Sequence, residues 1–246
     1  MSYVHDAVVW LNDPLNWKGQ HGVVQLLVDH LRITGLSVGL ASLVALPLGI
    51  GFGHLGRGGA FTVAAANVSR AVPVLAVLTI LVSTPVGFGD RATVIALALF
   101  AAPVVLANAY VGMRGVDPDL VEAATAMGLS GGQVLRRVEL PLALPLVAAG
   151  IRTAVVQVIA TATLAALVGG GGLGTIINEG FSTQDYGETL AGGLLVSLLA
   201  VVAELGLAGL QRSLTPASLR PPRRRRRAAA VLAEAPEDPA LAASGA

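Results

Sequence analysis

The sequence of 246 residues has no cysteine, a single lysine, and few charged or aromatic side chains. The lack of cysteine excludes disulfide bonds, iron–sulfur clusters and Cys-ligated zinc. Charged residues make up 13% of the chain and hydrophobic residues 54%, whereas a soluble domain carries roughly 25% charged residues. Such a composition indicates a membrane protein, and it excludes disorder for most of the chain. The net charge of +1 provides no field that attracts nucleic acid.

The sequence contains no convincing motif for nucleotide binding, hydrolysis or metal binding, because the partial matches lack the required neighbouring residues or structure. A Walker P-loop requires the sequence Gly-Lys-Ser/Thr. The single lysine, Lys18, is followed by glycine, so this motif is excluded. Residues 35–39 have the spacing of a nucleophile elbow, but no strand precedes them. The glycine-rich stretches 51–56 and 169–174 match the dinucleotide pattern only weakly, because each adjoins an apolar helix. The four histidines lack metal-ligand spacing. We therefore expect no enzymatic activity, and no cofactor or metal on this chain.

Long uncharged runs predict about five membrane-spanning helices. A helix needs roughly 20 apolar residues to cross the hydrocarbon core, and uncharged runs of that length occur at 33–53 and 92–113. The predicted spans are 31–54, 60–84, 92–113, 141–168 and 189–211. The second is either one long tilted helix or a short connector followed by a span.

Three charged residues, Arg70, Arg152 and Glu204, fall within the predicted spans. Charged groups are costly in lipid and tend to be paired and to face protein or water. We therefore predict that Glu204 pairs with Arg152 or Arg70 inside the bundle. The alternative is that these side chains snorkel to the interface.

The distribution of basic residues predicts the orientation of the chain. With the N-terminus outside, eleven basic residues fall on the inner segments and three on the outer ones, as the positive-inside rule requires. Most of the excess comes from the tail, 213–246, which is basic at first and then rich in Ala, Pro and Glu, a composition typical of disorder. Residues 1–23 are predicted to be an outer segment that lies in the interface on Trp10 and Trp17.

The segment between the third and fourth spans, 114–141, carries the most informative pattern. Asp117 is suited to cap a short helix at about 118–127, and Gly128 is placed to end it. Ser130 is placed to cap a second short helix. On these features alone, an ordinary helical cytoplasmic loop is an equally good interpretation.

The segment resembles the E-A-A loop in the permease subunits of ABC importers. That loop has Glu-Ala-Ala, three residues, Gly, a spacer, then a hydrophobic residue and Pro. The matching residues here are Glu122, Ala123, Ala124, Gly128, Leu140 and Pro141. The resemblance implies an all-α membrane protein, an ABC transmembrane type-1 (MetI-like) bundle over 24–212 with a cytoplasmic coupling helix.

The resemblance also implies the partners of the chain. The coupling helix would dock in a groove of separate ABC ATPase subunits that bind ATP, with Glu122 as a polar contact and Gly128 as the turn after the docked helix. A second permease subunit, identical or homologous, and an extracytoplasmic solute-binding protein complete the implied complex.

Three further segments are similar to the osmoprotectant branch of this family, which imports glycine betaine, carnitine, choline or related quaternary amines. They are 69–73, 150–152 and 170–174. The resemblance thus implies a permease for such solutes in the bacterial inner or plasma membrane. One alternative is an ABC permease for amino acids, and another is an ion-coupled secondary transporter.

Aromatic side chains are scarce in the predicted spans, which contain only Phe52, Phe61, Phe100 and Tyr110. Because aromatic cages usually hold quaternary amines, we expect selectivity to reside mostly in the solute-binding protein. Candidate path-lining residues are Asn67, Ser69, Thr79, Ser83, Asn108, Gln157, Thr161 and Thr163. For each of them the alternative is an interhelical hydrogen bond. Segment 169–188 is expected to be an outer loop that meets the binding protein.

Overall fold

The computed structural model describes residues 3–19 and 21–214, and within these ranges the chain is helical and contains no β-strand. The α-helices are α1 (Tyr3–Asn12), α2 (Val23–His54), α3 (Gly59–Ala71), α4 (Val74–Val82), α5 (Asp90–Arg114), α6 (Pro118–Ala126), α7 (Gly131–Val134), α8 (Leu140–Thr161), α9 (Gly174–Thr183) and α10 (Tyr186–Leu214). Turns of 3-10 helix cover Pro14–Trp17 and Ala162–Val168, and a π-helical turn covers Leu135–Glu139.

Within the described residues, four helical segments are long and apolar enough to cross a membrane, and they contain α2, α5, α8 and α10. Helices α3 and α4 meet the same criterion together but are bent by 83° where they meet. The bend lies at Val72, which is extended with φ −85° and ψ 120°, because the ring of Pro73 disfavours a helical conformation in the residue before it. The predicted span 60–84 is therefore neither one helix nor a connector before a span, but two short helices at a proline break.

Helices α2 and α5 run parallel to each other. A Cβ at Gly53, near the end of α2, would lie 3.1 Å from Cγ of Met113, near the end of α5. At the other end Arg32 lies 4.0 Å from Asp90, the first residue of α5. The chain that leaves α2 must therefore return across the bundle before α5 begins, so α3 and α4 together form one crossing.

Helix α8 runs antiparallel to α5. A Cβ at Gly150 would lie 3.0 Å from Cγ of Asn108 in α5. Beyond the end of α8, the carbonyl of Val168 accepts a hydrogen bond from the N–H of Gly89, just before α5, at 2.9 Å. The fourth predicted span thus consists of α8 and the 3-10 turn that continues it.

Helix α10 runs antiparallel to α8, which completes five crossings. Gln211 Nε2, near the end of α10, donates to the carbonyl of Pro145 near the start of α8 at 2.8 Å. Further along both helices, Arg152 lies beside Glu204. Because five is an odd number, the first and last described residues lie at opposite ends of the bundle.

Small residues set the distances between the central helices. Ala41 and Ala45 of α2, Ala101 of α5 and Ala154 of α8 are buried in one continuous core. In lipid, helices gain little from burying large apolar side chains against each other and associate by close packing at small residues. The core therefore depends on shape more than on the amount of apolar surface.

Two predicted loops contain helices. Segment 169–188, expected to be an outer loop, contains α9 and the start of α10. Within segment 1–23, predicted to lie outside, α1 packs against α10, and the rings of Tyr3 and Tyr186 meet edge to face at 5.4 Å. Of the predicted tail, 213–246, the part beyond Leu214 lies outside the described residues.

Candidate functional site

Helix α6 contains the Glu-Ala-Ala sequence and follows directly on the end of α5. Its first turn is capped by Asp117, whose Oδ1 accepts a hydrogen bond from the N–H of Asp119 at 3.0 Å. At its other end Gly128 has φ +87°, a left-handed conformation that glycine adopts without steric cost. The N–H of Leu129 then donates to the carbonyl of Ala124 at 3.2 Å. The predicted short helix and its glycine stop are present.

The second half of the loop leads without interruption into α8. Ser130 and Gln133 form a capping box at the start of α7, and the N–H of Ser130 donates to Gln133 Oε1 at 2.8 Å. The π-helical turn Leu135–Glu139 joins α7 to Leu140, the first residue of α8. Pro141 lies in the first turn of α8, where its missing N–H leaves no helical bond unmade. A displacement of α7 is therefore transmitted through the backbone to α8.

Of the Glu-Ala-Ala residues in α6, one is buried and two are exposed. Ala124 is 3% exposed, while Glu122 and Ala123 are exposed. The large side chains of Leu120 and Met127 are 49% and 75% exposed. Exposed apolar side chains on a helix outside the spans are suited to contact with a protein partner.

A cavity of about 250 Å³ lies between α6 and the ends of α2 and α5. Its charged and titratable lining residues are His54, Arg114, Glu122 and Glu139. Nδ1 of His54 is hydrogen-bonded to Oε2 of Glu139, whose side chain is 9% exposed. Among the described Asp, Glu, Lys and Arg residues with an assigned burial, Glu139 alone is buried.

Sequence reasoning missed this pair, because 85 residues separate its members. The available signals were a histidine at the end of a span and a carboxylate directly before the Leu-Pro of the motif.

The predicted intramembrane ion pair is formed by Glu204 and Arg152. Nε of Arg152 lies 3.4 Å from Oε1 of Glu204, with side-chain exposures of 29% and 43%. The Nε–H makes no hydrogen bond to a described residue, so the contact is electrostatic and joins α8 to α10. Arg70 lies in α3, and its side chain is outside the described part of the structure.

Most candidate path-lining residues bond to their own helical segment. The side chains that donate to a carbonyl three or four residues back are those of Thr79, Ser83, Asn108, Thr161 and Thr163. For these five the structure shows a hydrogen bond within the helix, a common local alternative to an interhelical bond. Ser69 differs, since its Oγ donates to the carbonyl of Phe100 in α5 at 3.4 Å.

The glycine run 169–174 has a structural partner in His30 of α2, which is fully buried. His30 Nε2 lies 3.0 Å from the carbonyl of Ile159, and Nδ1 accepts from the N–H of Leu173 at 3.2 Å. The proton is therefore assigned to Nε2. Gly172 has φ +99°, and a Cβ there would lie 2.9 Å from Nδ1. The glycine lets the backbone approach the imidazole ring closely.

Sequence comparison identifies the family to which the chain belongs. The family described as "Binding-protein-dependent transport system inner membrane component" matches residues 43–218. The glycine betaine/carnitine/choline transport system permease protein OpuCB of Bacillus subtilis is 34% identical over 192 residues, which are 78% of this chain and 88% of that protein. The carnitine transport permease protein OpuCD of Listeria monocytogenes is 36% identical over 212 residues, with coverages of 86% and 94%. The osmoprotectant import permease protein OsmW of Salmonella typhimurium is 33% identical over 214 residues, with coverages of 80% and 94%.

Solved structures show the same fold. The inward-facing MetNI methionine ABC transporter matches with a TM-score of 0.68 and 23% identity, over 78% of this chain and 96% of that chain. An amino acid ABC transporter crystallised with histidines matches with a TM-score of 0.61 and 19% identity, over 78% and 92%. The predicted all-α bundle is thus confirmed, and the chain belongs to the family of binding-protein-dependent transport system inner membrane components, the membrane-spanning permease subunits of ABC importers.

Proposed function

We propose that this chain is the permease of an ATP-driven importer of glycine betaine or a related quaternary-amine osmoprotectant. The support for the solute class is the set of relatives named for betaine, carnitine, choline and osmoprotectant transport, which are 33–36% identical over most of the chain. The resemblance of 69–73, 150–152 and 170–174 to the same branch agrees with them. The methionine and amino acid transporters share the fold alone.

The observation that carries the proposal is the exposed helix α6. The exposed Leu120 and Met127, seven residues apart on one face of α6, dock in the groove of an ABC ATPase subunit. Glu122 is an exposed polar contact on another face of this helix, and Gly128 provides the turn that returns the chain to the bundle. ATP is bound and hydrolysed by that partner. This permease receives movement from it and carries no ATPase site of its own.

The end of the bundle that carries α6 faces the cytoplasm. Its described basic residues are Arg57, Arg114, Arg136, Arg137 and Arg212, and those of the other end are Lys18, Arg32 and Arg91. This excess agrees with the positive-inside rule. The N-terminus is then outside and the C-terminus inside, and the end that carries α9 faces the solute-binding protein in an inner or plasma membrane.

Transport takes place by alternating access between two permease subunits, identical or homologous, since five helices do not enclose a gated path. ATP binding closes the ATPase subunits, and the coupling helices move with them. Because α7 continues through a helical turn into α8, this movement rocks the helices as rigid bodies and opens the cavity outward. The energy comes from nucleotide and not from an ion gradient.

The test is reconstitution of the permease with its ATPase subunits and binding protein in proteoliposomes. We expect uptake of labelled glycine betaine to require enclosed MgATP and to be inhibited by carnitine or choline but not by methionine or histidine. Inhibition by the amino acids alone would favour the amino acid alternative. Uptake that persists without the ATPase subunits and stops when an ion gradient is dissipated would favour the secondary transporter.

The docking role of α6 is tested by Glu122→Arg. Interface hot spots contribute about 2 kcal/mol or more, so we expect about a thirty-fold loss of ATPase association. The matched control is Asp13→Asn at the other end of the bundle, where an amide oxygen can still cap the turn that Asp13 caps. Unchanged association and uptake in Glu122→Arg would contradict the proposal.

A further inference from the structure

We propose that His54 and Glu139 form the positioning contact through which the coupling loop moves α2. The inference rests on the proposed function, because it concerns how movement of the docked loop reaches the transmembrane helices. It assigns to these two residues a role in coupling that the E-A-A motif does not contain.

The imidazole of His54 lies near both ends of the second half of the loop. Its Nδ1 is hydrogen-bonded to Glu139, the last residue before α8. Its Nε2 lies 3.9 Å from the position of a Cβ at Gly131, the first residue of α7. One side chain at the end of α2 therefore bonds to the loop where it enters α8 and lies close to the loop where α7 begins.

The backbone joins the loop to α5 and α8 but not to α2, so a direct connection to α2 must come from side chains. The loop is continuous with α8, whereas the chain leaving α2 passes through Gly56 and Gly58, with φ +66° and +79°. The cavity of about 250 Å³ lies between α2 and α6. Beside this cavity, the hydrogen bond between His54 and Glu139 connects the end of α2 to the loop.

A force applied at His54 reaches more than one helix. Gly49 and Gly53 hold α2 closely against α5, where an added Cβ would meet the backbone of α5 at 2.8 and 3.2 Å. The two parallel helices thus respond together. Movement of the loop is passed to α5 and α8 by the backbone, and the imidazole adds a direct connection to α2.

The burial of the Glu139 carboxylate makes it costly to separate this side chain from His54. Glu139 is 7% exposed, and a buried charge deprived of its partner is strongly destabilising. The other charged groups that line the adjoining cavity are Arg114 and Glu122. Separation of the loop from α2 therefore carries a cost in free energy that keeps the two together as the loop moves.

The experiment uses the full reconstituted complex and three measurements: ATPase association, the rate of ATP hydrolysis, and solute transported per ATP hydrolysed. In Glu139→Ala and in His54→Ala we expect association and hydrolysis to persist and transport per ATP to fall about five-fold or more, which corresponds to the lower range of coupling energies between sites. The double variant is expected to be no worse than the poorer single variant, because both remove one contact.

His54→Asn serves as the conservative variant, since an Asn side-chain nitrogen can replace Nδ1, and it is expected to restore most of the transport per ATP. Asp90→Asn is the matched control, because it removes a carboxylate from an exposed ion pair with Arg32 at the other end of the bundle. It is expected to leave the ratio unchanged.

Transport per ATP that is unchanged in Glu139→Ala and His54→Ala, or additive losses in the double variant, would overturn the proposal. Failure of all the variants to assemble, His54→Asn included, would show a purely structural pair and would overturn it as well. If the wild-type complex itself shows no ATP-dependent uptake, the proposed function fails first, and that result is recognisable without any variant.

Discussion

Replacement of Gly49 by alanine is expected to loosen the contact between α2 and α5. A Cβ at this position would lie 2.7 Å from Cβ of Ala109 and 2.8 Å from the carbonyl oxygen of Leu106, and approaches below 3.0 Å are essentially never seen for real Cβ atoms. The carbonyl belongs to the helical backbone of α5 and cannot rotate away. The two helices must therefore move apart.

The size of the effect follows from two opposing contributions. Alanine favours a helix over glycine by roughly 1 kcal/mol, while overpacking of a well-packed core costs about 1–3 kcal/mol. Gly39 lies on the same helix, and no atom lies within 4 Å of its Cβ position. Because Gly39→Ala has the same helix gain without the clash, Gly49→Ala should be about 1–3 kcal/mol less stable than Gly39→Ala.

The assay is unfolding of the purified permease in mixed micelles by increasing SDS, followed by the loss of far-ultraviolet circular dichroism. Gly51→Ala is a second control, since its Cβ position is also open. Free energies of unfolding that agree within about 0.5 kcal/mol for Gly49→Ala and both controls would refute the packing argument, because surface substitutions alone vary by that much.

Three further predictions follow from other contacts of the bundle. A double-mutant cycle on Arg152→Gln and Glu204→Gln should give a coupling energy of about 1 kcal/mol or less in SDS unfolding, because polar contacts between membrane helices are mostly worth that little. A value above about 3 kcal/mol would contradict this. His30→Ala should lower the unfolding free energy by about 3 kcal/mol, since the carbonyl and the N–H that it bridges lose their partner, and stability equal to wild type would exclude this role. Gly128→Val should impair ATPase association, because its φ of +87° is strained for a β-branched residue. Gly132→Val, at an open position in the next helix, is the control, and equal effects would refute a conformational cause.

The coupling loop could be predicted because its signals are local. A capping carboxylate at Asp117, a capping hydroxyl at Ser130 and a glycine stop at Gly128 each act within a few residues, and all three have the predicted roles in the structure. The intramembrane pair was predictable for a different reason, since a charge such as Glu204 within a span requires a partner and few were available.

The break between α3 and α4 could not be derived in the same way. Pro47, Pro103 and Pro145 lie inside α2, α5 and α8, which continue through them. At Pro73 the chain bends by 83° instead. Proline is present in all four cases, so whether the helix continues or bends depends on how neighbouring segments pack around the proline. This packing cannot be derived from the sequence. Likewise, the contact of His54 with Glu139 depends on how distant segments pack.

The position of α1 has a consequence for biosynthesis. Ala7 is fully buried, and Asp6 lies so close to Gly187 that a Cβ there would be 2.7 Å from the Cβ of Asp6. The surface that receives α1 is thus supplied by α10, the last helix of the described chain. Because α1 is synthesised before α10, it can pack in its final position only after α10 has been inserted in the membrane. A chain shortened before α10 would leave α1 without the surface on which it packs.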